Sequence, residues 1–69
     1  MSELKELYYI VPHNDGCVYL CKNNDGFFLA RKEKQMHSDG LVFEYYDDAA
    51  VFIAKHNLDG FSVEPFLTI

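Results

Sequence analysis

Residues 7–32 read LYYIVPHNDGCVYLCKNNDGFFLARK, and the predicted fold rests on this stretch. It holds three apolar runs separated by two polar segments, HNDG and NNDG, each of which ends in an Asp-Gly pair. Gly tolerates positive φ and Asp bonds its own backbone, so Asp-Gly between apolar runs is a strong signal for a chain reversal. The stretch therefore predicts three antiparallel strands joined as a meander, at residues 7–12, 17–22 and 27–32.

A helix is predicted in the second half of the chain. The run AAVFIAK at residues 49–55 contains three alanines, and Asp47 or Asp48 can cap its N-terminus. The run is apolar nearly all round, so the helix must be covered on more than one side. Phe52 and Ile53 are its expected core residues.

Two further strands flank this helix, at residues 41–46 (LVFEYY) and 61–69 (FSVEPFLTI). Pro65 cannot donate a ladder hydrogen bond, so the last strand is expected at a sheet edge. The predicted order is ββββαβ, an α+β fold in which one helix packs on one face of a four- to five-stranded antiparallel sheet. All 69 residues are assigned to one domain. The other sheet face is expected to stay open, with several aromatic rings partly exposed on it.

The charge and composition of the chain exclude several classes of function. The formal net charge of −5 repels phosphate backbones and anionic membrane surfaces, so direct nucleic-acid or membrane binding is not expected. Residues 1–6 have neither the basic nor the apolar region of a signal peptide, and no apolar stretch approaches the roughly 20 residues that span a bilayer. We therefore expect a cytoplasmic protein.

The two cysteines and three histidines form no recognisable reactive motif. On a strand, Cys17 and Cys21 would lie roughly 13 Å apart, beyond the limit of about 7 Å for a disulfide. Their sulfur atoms could not both reach one zinc ion. Both are therefore expected to be reduced and buried, with no metal, cofactor or catalytic residue. A small thiol- or metal-dependent enzyme, using one of these cysteines with His37 and an aspartate, is an alternative.

A cluster of carboxylates and tyrosines offers a candidate partner-binding surface. Its members are Tyr8, Glu44, Tyr45, Tyr46, Asp47 and Asp48. Strand alternation puts Tyr45 and Tyr46 on opposite faces, so that only one can be in the core. Of Tyr8 and Tyr9, one is expected under the helix and the other outward. The cluster suits either an ordinary solvated face with a helix cap, or an anionic surface that docks on a basic groove of another protein.

The second half of the chain carries a resemblance. Residues 41–65 run as strand, helix opening with Asp-Asp-Ala-Ala, Asp-Gly turn, and returning strand Ser-Val-Glu-Pro. In size, acidity and layout this resembles the small acidic inhibitor proteins that phages and mobile elements make. The resemblance implies a non-enzymatic protein that binds a host enzyme or nucleic-acid-binding complex. A self-associating structural module, pairing through residues 61–69, is an alternative from a different class.

Overall fold

The computed structural model describes residues 5–33 and 37–68. Within these ranges it has the predicted α+β class, with five strands in antiparallel pairs and one helix. The elements are β1 (Lys5–Pro12), β2 (Val18–Asn23), β3 (Gly26–Arg31), β4 (Val42–Phe43), α1 (Tyr46–Lys55) and β5 (Phe61–Thr68). Ile69, residues 1–4 and residues 34–36 of the connection after β3 lie outside the described residues.

The strands form two sheets instead of the one that was predicted. In the first sheet β1 lies between β4 and β5, and in the second β2 pairs with β3. The predicted meander is therefore wrong at its first step, because β1 does not pair with β2. The reason lies in β1 itself: three consecutive residues, Tyr9, Ile10 and Val11, are buried. A strand with both faces covered suits the centre of a sheet better than the edge of a meander.

The segment before β4 joins the two sheets. The Lys22 N–H donates to the Asp39 carbonyl (3.0 Å), and the Leu41 N–H donates to the Leu20 carbonyl (3.2 Å). The next residue, Val42, pairs with β1, where it lies opposite Tyr9. The chain thus runs from the edge of β2 that does not pair with β3 to an edge of β1. As a result, the hairpin formed by β2 and β3 folds over the first sheet.

The hairpin covers the face of β1 that was expected to be open. A core cluster of four buried residues forms there, with three partly buried neighbours: Tyr9, Val11, Tyr19 and Cys21, with Phe28, Ala30 and Phe66. The expectation that one of Tyr8 and Tyr9 faces outward is therefore wrong, since Tyr9 is enclosed by the hairpin and Tyr8 is half-buried. With 49% apolar residues in so short a chain, a second covering layer buries surface that one helix cannot reach.

The helix packs on the opposite face of the first sheet, against β1, β4 and β5. Its inward stripe is Ala49, Phe52 and Ile53, at the spacing of one helix face. Ala49 is fully buried, while the expected anchors Phe52 and Ile53 are half-buried. The Phe52 ring lies 5.5 Å from that of Phe43. Ala49 is thus the most completely buried residue of the helix.

The C-terminus of the helix has a defined cap. Asn57 takes φ 54°, its N–H donates to the Ala54 carbonyl, and the Leu58 N–H donates to the Ile53 carbonyl. These two bonds are those of a Schellman motif, in which the left-handed position usually holds Gly.

Replacing Asn57 therefore tests the cap directly. Asn57→Ala is expected to lower the free energy of unfolding by about 1 kcal/mol, because Ala tolerates positive φ poorly. Asn57→Gly should leave it unchanged or raise it slightly. Urea denaturation followed by circular dichroism measures both; equal losses in the two variants would contradict the φ argument.

β5 lies at the edge of its sheet, as Pro65 predicted. Pro65 lies opposite Tyr8 in the register with β1. Pairing between two copies through residues 61–69 remains a prediction.

Candidate protein-interaction surface

The turn from β4 into α1 presents the candidate surface. β4 is only two residues long, Tyr45 is extended (φ −126°, ψ 139°), and Tyr46 is the first helical residue. The expected strand over residues 41–46 is therefore too long, and the strand alternation that was expected to put Tyr45 and Tyr46 on opposite faces does not apply. Their side chains are 66% and 55% exposed. The backbone changes from extended at Tyr45 to helical at Tyr46, and both rings lie on the solvent side of this turn.

Tyr8 joins these residues from a distant part of the chain. Its ring lies edge-on to the ring of Tyr46, with centroids 5.9 Å apart. Perpendicular aromatic pairs at this separation are favourable. The Tyr8 hydroxyl donates to Glu6 Oε1 at 2.6 Å. This hydrogen bond is the main cause that raises the pKa of Tyr8 above its ordinary value.

The first turn of the helix supplies the charge. Asp47 and Asp48 are exposed there, where the helix dipole stabilises carboxylates. Neither is the N-cap, contrary to expectation: Tyr45 holds that position and makes no side-chain cap bond. Tyr45 and Tyr46 immediately precede them, and Glu44 is also exposed.

We call the six predicted residues the acidic tyrosine surface: Tyr8, Glu44, Tyr45, Tyr46, Asp47 and Asp48. Glu6 borders it through its hydrogen bond to Tyr8, and sequence reasoning missed this residue. The signal was available, because Glu6 and Tyr8 are two apart on a strand and share one face.

The sulfur and imidazole groups have separate environments. Cys17 lies in the turn before β2 and is exposed, so the expected burial is wrong for this residue, whereas Cys21 is buried as expected. His37 is held by backbone contacts: its N–H donates to the Tyr19 hydroxyl (2.6 Å), and its Nδ1 accepts from the Asp39 N–H (3.0 Å). Within residues 5–33 and 37–68, no three Cys, His, Asp or Glu side chains are arranged to hold a metal ion.

The two thiols are expected to differ sharply in reactivity. Burial, with a smaller contribution from Asp39, raises the pKa of the Cys21 thiol. The thiolate is the reactive form, so a maleimide should label Cys17 rapidly and Cys21 at least about 100-fold more slowly in the native state. Mass spectrometry of the labelled protein, with a urea-unfolded control, distinguishes the sites. Equal native rates would contradict the burial of Cys21.

An open cleft of about 460 Å³ lies between the turn after β1 and the turn before β5. His13, Asn14 and Asp59 supply its polar side chains, all of them exposed, and Leu29 and Phe61 line its apolar part. The His13 N–H donates to the Gly60 carbonyl at 2.7 Å and ties the two turns together. This arrangement has no nucleophile beside a base.

α1, the helix of the described ranges, is too short and too mixed in polarity to cross a membrane. No protein-family model, no curated protein and no solved structure matches this chain.

Proposed function

We propose that this chain is a non-enzymatic, cytoplasmic interaction protein that inhibits a larger protein by binding it through the acidic tyrosine surface. The observation that carries the proposal is the meeting of Tyr8, from β1, with Tyr46, from the start of α1, beside two carboxylates. Two segments far apart in sequence thus contribute to one exposed surface.

The exposure of these rings supports a binding role over an ordinary solvated face. A small chain gains stability by burying aromatic rings, yet Tyr45 and Tyr46 remain mostly in solvent. Tyrosine is enriched among the residues that dominate binding energy at protein interfaces, because it offers a large rigid area with a polar tip. The Tyr8 ring limits the positions that Tyr46 can take, which lowers the entropy lost on binding.

The charge indicates what kind of partner fits. Carboxylates at the start of a helix, on a chain with net charge −5, attract a positively charged surface. A basic groove of an enzyme or complex that holds nucleic acid is such a surface. Occupying it would block the groove, as the resemblance to phage-encoded inhibitors implies.

Affinity capture from a bacterial lysate tests this proposal. The double variant Asp47→Lys, Asp48→Lys should lose the main captured protein, because both charges are reversed at the surface. The matched control, Glu33→Lys with Asp59→Lys, changes the net charge equally at exposed positions elsewhere and should retain it. Retention by both variants, or loss in both, would contradict a role for this surface.

A further inference from the structure

Within residues 5–33 and 37–68, β3 has an unpaired edge. Among the described strands it pairs only with β2, and no Cα of β3 lies within 8 Å of a Cα of β5. An edge strand displays backbone donors and acceptors that can pair with another strand. The direction of the β2 hydrogen bonds shows which groups these are.

The hydrogen bonds around β2 alternate between its two sides. Leu20 and Lys22 bond to the segment before β4, so their backbone groups point away from β3. Their register partners on β3 are Leu29 and Phe27. In an antiparallel ladder, two residues opposite each other either bond to each other through their backbone N–H and C=O groups, or both direct these groups away from the partner strand. The N–H and C=O groups of Phe27, Leu29 and, two residues on, Arg31 therefore point out from the free edge.

This edge lacks the usual protection against pairing. β5, the other long edge strand, carries Pro65 in its interior, whereas β3 reads GFFLAR with no proline and its charge at the end. Phe27 and Leu29 are 41% and 48% exposed. The free edge of β3 is thus both apolar and able to form hydrogen bonds.

The charged and exposed apolar residues from the turn along β3 are self-complementary. In order along the chain they are an acid in the turn, two apolar residues and a base: Asp25, Phe27, Leu29 and Arg31. We propose that β3 pairs antiparallel with β3 of a second copy, so that Phe27 of each copy lies opposite Leu29 of the other. This register also brings Asp25 of each copy beside Arg31 of the other.

The neighbouring registers fit less well. The second strand can shift by two residues in either direction, and in both shifted registers the outward-pointing backbone groups still form hydrogen-bonded pairs. One shift puts Asp25 opposite Glu33, which repel each other. The other puts Phe27 opposite itself and leaves Asp25 opposite Leu29, without a charge partner. Charge complementarity therefore selects a single twofold-symmetric pairing.

The dimer is expected to be weak. A pair of six-residue strands falls below the roughly 1,200 Å² that standard interfaces bury, so a Kd on the order of 100 μM is expected. This proposal does not depend on the acidic tyrosine surface, which belongs to β1 and to the segment from β4 into α1.

Sedimentation equilibrium of the full chain, up to about 1 mM, provides the test. The variants D25R and R31D should each weaken self-association at least about tenfold, because each puts like charges side by side. An equimolar mixture should restore a heterodimer, since one copy then carries two bases and the other two acids. The hydrogen bond in the turn runs from the backbone N–H of Asp25 to Asn23 Oδ1, so replacing the Asp25 side chain in D25R leaves this bond intact.

Two further measurements complete the design. V51K, which changes an exposed apolar residue on the helix, should dimerise like the unmodified protein. Exchange of the Leu29 amide proton should slow as the protein concentration rises. A monomer at about 1 mM, a dimer insensitive to D25R and R31D, or failure of their mixture to associate would each overturn the proposal.

Discussion

Tyr9→Ala is expected to unfold most of the protein at physiological temperature. Tyr9 is 9% exposed, and its ring lies 5.6 Å from that of Tyr19 and 4.7 Å from that of Phe66. Lys32 Nζ lies 5.0 Å from the centre of the same ring. Removing a buried aromatic ring typically costs about 3–5 kcal/mol, comparable to the entire stability of a domain this small.

The adjacent tyrosine provides the matched control. Tyr8 is half-buried and contacts the exposed ring of Tyr46, so Tyr8→Ala is expected to cost about 1 kcal/mol or less. Urea denaturation followed by circular dichroism should show a folded Tyr8 variant and a largely unfolded Tyr9 variant. A larger loss at Tyr8 than at Tyr9 would mean that the hairpin does not cover this face of β1.

Tyr45→Ala and Tyr46→Ala are expected to weaken partner binding strongly while the fold stays intact. Aromatic residues at the centre of an interface typically contribute about 2 kcal/mol or more, so each variant should raise Kd about 30-fold. Both side chains are exposed in the free protein, so the urea midpoint should shift little. Calorimetric titration of the captured partner measures the affinity.

Val51→Ala is the control for this pair. Val51 is 62% exposed on α1 but lies outside the acidic tyrosine surface, so its loss should leave Kd unchanged. Unchanged binding in both tyrosine variants, or an equal loss with Val51→Ala, would contradict the proposed surface. A 30-fold rise confined to the tyrosines would place the contact at the start of the helix.

The sequence located the candidate surface because its residues are nearly contiguous. Residues 44–48 were identified from local composition, and the structure exposes them together. The interpretation failed where the change from strand to helix was misplaced: the helix begins at Tyr46, two residues earlier than a cap at Asp47 allows. Glu6 was missed although it lies two residues before Tyr8 on β1, where strand alternation puts both side chains on one face.

By itself the sequence determined the local features: the turn at Asp25-Gly26 that closes the β2–β3 hairpin, the helix, and the edge position of the strand that contains Pro65. These follow from backbone preferences within a few residues. Only the tertiary structure decided that β1 pairs with β4 and β5, and that the hairpin covers Tyr9. The two-residue period of a strand sets which side chains share a face. Which strand pairs beside it depends on how both faces become buried, and segments distant in sequence contribute to that burial.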